Sequence, residues 1–352
     1  MKAGLVVIAL VSLTAGAVSA QPARPSGPRA PYTLKYLGSF GSSEFRADAA
    51  LDSLTRAAGG DSFGRVSDMA LSPDKSQLFV LDNVARKLVS VRPQGPPRVV
   101  LTWRSGRGPG EFTRPRAVAV IANGFSIADD ANARMSFFTA DGRFARSVPF
   151  PGSAYNVRSN GRSLTALRFS ARPGRYQIVH LSIQGEVVDS AMPIAGRLAD
   201  FALSGEPGIL FHDRHRAVHF ASPAAGVICT ITQPTRCSGQ DIFPQIKSSI
   251  RRTNGMDVRG VNLSVRGAAQ LESGHFVILA FTMDHEQLSQ NNSDWYRAWL
   301  LILDSQMKYV GYMPAPDGWL IGMIAGFAGQ ELLFATDEPY PQVLRYALQP
   351  SR

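Results

Sequence analysis

The chain has 352 residues, a formal net charge of +10 at pH 7 and two cysteines. Its basic residues are scattered and form no run interleaved with aromatic residues, so nucleic acid is not the expected partner. Beyond the first twenty residues no apolar stretch is long enough to cross a bilayer as a helix, so we expect no transmembrane segment in the mature chain. An anionic surface or a small acidic ligand stays open as a partner.

The first twenty residues have the pattern of a cleavable secretory signal. Lys2 precedes an apolar run at residues 5–13, and Val18, Ser19 and Ala20 offer small residues for cleavage. The run is short for a membrane anchor. The predicted location is therefore the periplasm or the extracellular space. The predicted organisation is a signal peptide at 1–20, a flexible N-terminal segment at 21–31 and a single domain at 32–350.

The first predicted strand of the mature chain is Tyr32–Phe40, where apolar and polar residues alternate as in a half-buried strand. The connection that follows, residues 41–64, contains a predicted helix around residues 45–57. The rest of the chain alternates short β-rich runs with Gly, Pro, Asn and Asp, which is typical of strands joined by turns.

These strands repeat with a period of roughly 40 residues, which is typical of propellers and other repeat folds. The clearest unit, residues 106–150, contains four short strands, and residues 66–103 repeat its order. Units with longer turns occur at 164–179 and 276–303. Six units begin near Val66, Arg116, Tyr155, Leu198, Asn262 and Ile321.

The last of these units lacks one strand, and Tyr32–Phe40 can supply it. Pairing the two ends of the chain in one sheet closes a ring and removes an exposed edge. We therefore predict an all-β fold, a six-bladed β-propeller with four-stranded antiparallel blades whose last blade is closed by the N-terminal strand. Five or seven blades are the alternatives.

The 106–150 unit resembles an NHL repeat, and the unit at 66–103 matches that pattern in part. The resemblance is to exported bacterial six-bladed propellers, a scaffold that serves both binding proteins and enzymes. Related propeller enzymes hold metals with His, Glu, Asn or Asp in the central tunnel, and no such set maps onto this sequence. The matching residues are Gly110, Phe112, Pro115, Gly124, Asp129, Arg134 and Gly142.

Polar residues recur where the second strand of a unit is expected to end. Each stands six residues before an apolar residue of the next strand, and Arg168 is the approximate counterpart in the third unit. Acids at one rim could hold a cation or a cationic ligand. The alternative is that each carboxylate accepts hydrogen bonds from backbone N–H groups of a turn. The residues at this offset are Asp82, Asp129, His212 and Asp337.

The fourth unit contains His212, His215 and His219, spaced as on one face of a helix. Here they span a predicted hairpin, so their rings need not converge as zinc requires. We therefore predict no metal and no cofactor, with Ca²⁺ or Zn²⁺ as the alternative.

The two cysteines, Cys229 and Cys237, flank a predicted turn. An even cysteine count in an oxidising compartment favours a disulfide that joins two strands. A short helix is predicted in the connection that follows, at residues 237–261. Asp241 would cap it, and Gly255 would end it.

The longest predicted turn within a unit, residues 282–297, is polar and carries His285 and Trp295. Long loops on a regular scaffold often bind ligands. With the strand-end residues and Arg116, these two complete the candidate ligand-binding residues.

We favour a non-enzymatic, monomeric binding module for a protein, peptide or envelope ligand. The alternative is a metal-assisted hydrolase or lyase with its site at the mouth of the central tunnel. A third hypothesis gives the strand-end residues a structural role alone.

Overall fold

The computed structural model describes most of the chain between residues 27 and 351. Within the described residues every regular element is a β-strand, and none forms a helix able to cross a membrane. The predicted signal peptide, the predicted helix at 45–57, His285 and Trp295 lie outside the described residues. These residues are 27–41, 63–170, 175–189, 208–222, 227–231, 236–237, 249–253, 256–260, 263–283, 296–337 and 341–351.

Four separate four-stranded antiparallel sheets follow one another along the chain, each with its strands in sequence order. The first sheet contains β2 (Val66–Leu71), β3 (Leu78–Asp82), β4 (Lys87–Val91) and β5 (Arg98–Thr102). The second contains β6 (Pro115–Ile121), β7 (Gly124–Asp129), β8 (Arg134–Thr139) and β9 (Phe144–Pro149). The third contains β10 (Ser153–Ser159), β11 (Ser163–Ser170), β12 (Arg175–Ser182) and β13 (Val187–Asp189). The fourth contains β14 (Ile209–His212), β15 (Val218–Ser222), β16 (Val227–Thr230) and β17 (Arg236–Cys237).

A fifth, eight-stranded sheet has the order β1-β26-β25-β24-β20-β21-β22-β23. Its middle is a single parallel pairing of Gly267 with Met323. The predicted pairing of the chain ends is confirmed, because β1 runs antiparallel to β26. The strands are β1 (Tyr32–Phe40), β20 (Leu263–Gln270), β21 (Phe276–Met283), β22 (Tyr296–Leu303), β23 (Tyr309–Pro314), β24 (Leu320–Ala325), β25 (Glu331–Thr336) and β26 (Gln342–Pro350).

The helix predicted within residues 237–261 is wrong where the structure describes that segment. Two strands, β18 (Ser249–Thr253) and β19 (Met256–Gly260), pair there as a hairpin. Thr253 pairs with Met256, which leaves Asn254 and Gly255 between the strands. Asn-Gly is a strong sequence signal for a two-residue hairpin turn, so it outweighs the helical spacing of the apolar residues before it.

The first strands of successive sheets contact one another in a closed circuit, from β2 through β6, β10, β14, β20 and β24 back to β2. The second and third strands are the most buried; every residue of β3, β4, β7 and β25 is buried. Apolar side chains fill the spaces between neighbouring sheets. Phe79 of the first sheet, for example, packs on Phe125 of the second with ring centroids 5.8 Å apart. The sheets therefore form a propeller-like ring with a channel at its centre.

Five of the first strands carry a β-bulge near the end where the chain enters the sheet. The pairing register skips one residue in each of β2, β6, β10, β20 and β24. A bulge leaves one residue out of the ladder and turns its side chain away from the regular alternation. The skipped residues are Ser67, Arg116, Tyr155, Arg266 and Ile321.

The predicted position of His212 at the end of a second strand is wrong, whereas the predicted start of the fourth unit, near Leu198, lies outside the described residues. The first strand of the fourth sheet is β14, and it ends at His212. His212 pairs with Val218 across the hairpin between the first and second strands, whereas Asp82 ends a second strand. A hairpin between the first and second strands has a turn of similar length to one between the second and third strands. The six-residue offset from the polar residue to the next strand therefore occurs in both. As a result, His212 lies at the opposite end of the channel from Asp82.

Candidate functional site

A cavity of about 430 Å³ opens where the chain enters the first strands. We call it the channel mouth. All five bulge residues line it, so the bulges direct a set of side chains into one space. Five arginines stand in its wall: Arg65, Arg114, Arg116, Arg158 and Arg266.

Two aspartates at the ends of second strands bind the backbone of the segments that precede the first strands and carry some of these arginines. We call the segments before the first strands the entering segments. The Asp82 carboxylate accepts hydrogen bonds from the backbone N–H groups of Gly64 at 2.6 Å and Arg65 at 3.0 Å. It also accepts from Val84 and Ala85 in its own turn. Burial raises the pKa of Asp82, and these backbone donors and Lys87 oppose the shift.

Asp129 does the same in the second sheet. Its carboxylate accepts from the backbone N–H groups of Thr113 at 3.0 Å and Arg114 at 2.9 Å, and from the Asn132 amide at 2.6 Å. The geometry of Asp82 and Asp129 therefore matches the structural alternative, in which each carboxylate binds turn backbone. Their contribution to the site is to place Arg65 and Arg114 at the channel mouth.

Arg168 contacts the segment that leads into the third sheet, but it donates hydrogen bonds where Asp82 and Asp129 accept them. Its guanidinium donates to the Pro151 carbonyl at 3.2 Å and to the Gln177 side chain, and it lies 5.7 Å from the Phe150 ring centroid. Asp337 follows β25, and its carboxylate forms an ion pair with Arg65 at 3.3 Å. Asp337 is thus the strand-end acid that contacts an arginine of the channel mouth.

The channel mouth has more basic than acidic side chains. Asp68 is the one acidic residue among those described in its wall. Behind the wall, Asp130 pairs with Arg114 at 3.4 Å and with Arg116 at 3.3 Å. Burial raises the pKa of Asp130, and the positive charges of Arg116 and Arg114 oppose this shift. One buried carboxylate thus serves two arginines, which remain 58 % and 42 % exposed.

Asp68 and Arg158 form a nearly buried ion pair inside the channel. Both guanidinium nitrogens Nη1 and Nη2 reach the carboxylate, at 3.2 and 3.3 Å, and the Val118 backbone N–H donates to the same carboxylate at 3.0 Å. This pair joins the first strands of three sheets. Arg158 also lines a second, deeper cavity, so the pair stands between the channel mouth and that cavity.

The wall of the channel mouth also offers neutral groups for a ligand. Ser67 Oγ and Asn83 Oδ1 are buried there, and no described residue forms a hydrogen bond with either oxygen. Tyr155 is 37 % exposed, and the guanidinium of Arg116 lies 5.2 Å from its ring centroid. Charged, polar and aromatic surfaces therefore meet in one cavity.

The three histidines of the fourth sheet do not converge. His212 faces the deeper cavity, while His215 Nε2 accepts a hydrogen bond from Arg214 Nε at 3.0 Å in an exposed turn. His219 is buried, stacks on Phe211 and contacts Asp213 Oδ2 at 3.2 Å. Nowhere in the described part of the chain do three His, Cys, Asp or Glu side chains form a group able to hold a metal.

Of the predicted ligand-binding residues that the structure describes, only Arg116 lines the channel mouth. Asp82, Asp129 and Arg168 position its entering segments, Asp337 pairs with Arg65, and His212 lies at the other end. Sequence reasoning missed Arg65, Arg114, Arg158 and Arg266. The available signal was a basic residue at or before the start of a first strand, as in Arg114-Pro115-Arg116.

Comparisons with known proteins support the fold. No family model matches the chain, and no curated protein matches its sequence. An exported protein of Bacteroides fragilis is similar in structure, with a TM-score of 0.58 at 11 % identity over 91 % of this chain and 96 % of that one. A member of the DUF4221 family from Bacteroides vulgatus also has a TM-score of 0.58, at 8 % identity over 92 % and 99 % of the two chains.

A third similar structure is a catalytically inactive variant of virginiamycin B lyase from Staphylococcus aureus with quinupristin. Its TM-score is 0.51, at 13 % identity over 90 % of this chain and 99 % of that one. At such identities the similarity shows the fold alone, a β-propeller.

Proposed function

We propose that this protein is an exported, NHL-like six-bladed propeller that acts as a non-enzymatic binding module. Its ligand is a protein, peptide or envelope component that presents an anionic group to the channel mouth. The observation that carries the proposal is the set of five arginines in one cavity, where positive charge exceeds negative charge. The carboxylates of Asp68, Asp130 and Asp337 pair with four of these arginines, so three negative charges stand against five positive ones. Guanidinium groups bind carboxylates and phosphates by paired hydrogen bonds, and clustered positive charge attracts such ligands from a distance.

The blade count rests on two features of the strands. The eight-stranded sheet is joined at its centre by one parallel pair, so it divides into two four-stranded antiparallel units. Those two units and the four separate sheets supply the six first strands of the closed circuit.

The NHL assignment is supported by residues with local roles in the second sheet. Gly124 has φ +154°, and a Cβ there would lie 1.9 Å from the Phe138 carbonyl oxygen. Arg134 donates to the carbonyls of Arg107 and Gly108 at 2.7 and 2.9 Å, which fixes the Gly-rich loop before β6. Export is supported by the signal-like N-terminus and by the exported structural relative.

The proposal is tested by fluorescence anisotropy with a fluorescein-labelled oligoglutamate peptide and, for comparison, an oligolysine peptide. Arg114→Gln and Arg116→Gln each remove one charge from the channel mouth. Arg143→Gln is the matched control, because Arg143 is 84 % exposed in an outer turn and pairs with Asp141. Since the mouth arginines are partly exposed, each loss is expected to weaken binding about fivefold, or about 1 kcal/mol.

We expect the acidic peptide to bind, more weakly as salt increases, and the lysine peptide not to bind. The control variant is expected to bind as the wild type does. Equal affinity for both peptides, or equal losses in the mouth variants and the control, would contradict the proposal.

A further inference from the structure

Arg216 lies at the opposite end of the channel, in the turn between β14 and β15. Its guanidinium reaches two other sheets and donates to the backbone carbonyls of Ser159 at 2.6 Å and Ser72 at 3.4 Å. The backbone of Arg216 has φ +70°, a left-handed conformation that is rare for a residue other than Gly, Asn or Asp. Such local strain often occurs at functional sites.

The charge of Arg216 has no carboxylate in contact with it among the described residues. Its hydrogen bonds go to carbonyl oxygens, and within the described part of the chain its buried Nε has no partner. Burial lowers the pKa of Arg216, and the more distant charge of Asp74 opposes this shift. A desolvated guanidinium with a free N–H donor is costly unless an anion accompanies it.

His212 lies beside Arg216 and lines the same deeper cavity. Its ring faces the backbone of Ser159, the residue whose carbonyl also binds Arg216. Its Nε2 is buried and has no hydrogen-bond partner among the residues that the structure describes. Burial, followed by the charges of Arg216 and Arg158, holds the pKa of His212 well below its ordinary value, so the ring is neutral. In the neutral tautomer with its proton on Nδ1, Nε2 carries a lone pair and accepts hydrogen bonds.

We propose that Arg216 and His212 form a binding site for a small oxyanion that keeps one O–H group, such as bicarbonate or dihydrogen phosphate. The anionic oxygens accept from Arg216 Nε, and the O–H donates to His212 Nε2. The cavity at this end holds only about 60 Å³ beside apolar side chains such as Val157 and Met323, so the ligand must be small. This site is separate from the channel mouth and does not depend on the ligand proposed there.

The test is isothermal titration calorimetry of the mature protein in oxyanion-free buffer. The probes are bicarbonate, phosphate and nitrate; nitrate matches bicarbonate in size, shape and charge but has no O–H group. Arg216→Asn removes the guanidinium, and Asn tolerates a left-handed backbone, so the variant is expected to fold. Arg216→Gly is a second such variant, and thermal unfolding checks both. Arg143→Gln is the control, because Arg143 is 84 % exposed and lies far from this cavity, in the turn that pairs it with Asp141.

We expect bicarbonate or phosphate to bind with one-to-one stoichiometry and at least tenfold more tightly than nitrate. Both Arg216 variants are expected to lose binding at least tenfold, whereas the control keeps it. His212→Phe is expected to abolish the preference over nitrate. Binding that survives in both Arg216 variants, or the absence of binding by any probe, would overturn the site. Binding lost in Arg116→Gln but kept in Arg216→Asn would move it to the channel mouth and leave the proposed function intact.

Discussion

Removing one charge of the Asp68–Arg158 pair is expected to destabilise the protein strongly. In Asp68→Asn the guanidinium of Arg158 stays in place, because its Nη1 also donates to the Val157 carbonyl at 2.8 Å. The side chains of Arg158 and Asp68 are only 6 % and 11 % exposed, so water cannot solvate the guanidinium once the carboxylate charge is removed. The variant therefore leaves a buried cation without its counter-ion.

The expected cost follows from the geometry of this pair. Breaking a buried ion pair by removing one partner costs about 3–5 kcal/mol. The two hydrogen bonds of 3.2 and 3.3 Å are longer than the best charge-assisted bonds, so we expect about 3 kcal/mol, at the lower end. The double variant Asp68→Asn with Arg158→Met leaves no buried charge and is expected to lie within about 1 kcal/mol of the wild type.

Urea unfolding followed by circular dichroism measures both effects, with transition midpoints compared at a shared slope. The reasoning predicts a strong loss in the single variant and recovery in the double variant. A loss under about 1 kcal/mol in the single variant would refute it. A double variant that is as unstable as the sum of its two single variants would refute it as well.

Three further predictions concern the strand-end residues and the cysteines. Asp82→Ala leaves four backbone N–H groups without their acceptor and is expected to lower the free energy of unfolding by about 2–4 kcal/mol, measured by thermal or urea unfolding. The control is Asp141→Ala in an exposed turn, which is expected to have little effect. Equal effects of the two variants would contradict the structural role of Asp82. His212 is neutral in the fold, whereas the unfolded chain binds a proton below pH about 6.5, so stability falls on acidification by up to about 1.4 kcal/mol per pH unit. In His212→Phe the loss between pH 7.5 and pH 5.5 (roughly one unit either side of that value) is expected to shrink, and an unchanged loss would count against a neutral ring. Cys229 pairs in register with Cys237 across β16 and β17, which favours the predicted disulfide. Intact mass spectrometry without reductant is expected to find two fewer hydrogens than after reduction, and equal masses would disprove the bond.

The repeat period and the turn residues predict much of the fold. The predicted starts of the first, second, third, fifth and sixth units lie within two residues of β2, β6, β10, β20 and β24. These predicted starts agree with the structure because they depend on local features of the sequence, namely Gly, Asn and Asp at the turns and the alternation of apolar and polar residues within the strands. The placement of His212 at the end of a second strand fails because a hairpin between first and second strands resembles one between second and third strands. Only contacts with neighbouring sheets distinguish the two.

The channel mouth was harder to predict than the fold. Its arginines come from several separate sheets, and their convergence depends on ring closure and on bulges at Arg116 and Arg266. A bulge shifts the side-chain alternation by one residue, so a regular strand pattern assigns these side chains to the wrong face. The strand-end offset did identify Asp82 and Asp129, but their carboxylates hold backbone N–H groups instead of facing a ligand.

The most direct measurement of the central claim is an anomalous difference map from crystals soaked in para-bromobenzoate. This probe carries a carboxylate for the arginines, a ring for Tyr155 and a bromine that marks its position. The account predicts the strongest bromine peak in the channel mouth, near Arg116 and Tyr155, and its loss in Arg114→Gln/Arg116→Gln crystals. A channel mouth without a peak, while bromine binds elsewhere on the protein, would contradict an anion-binding propeller.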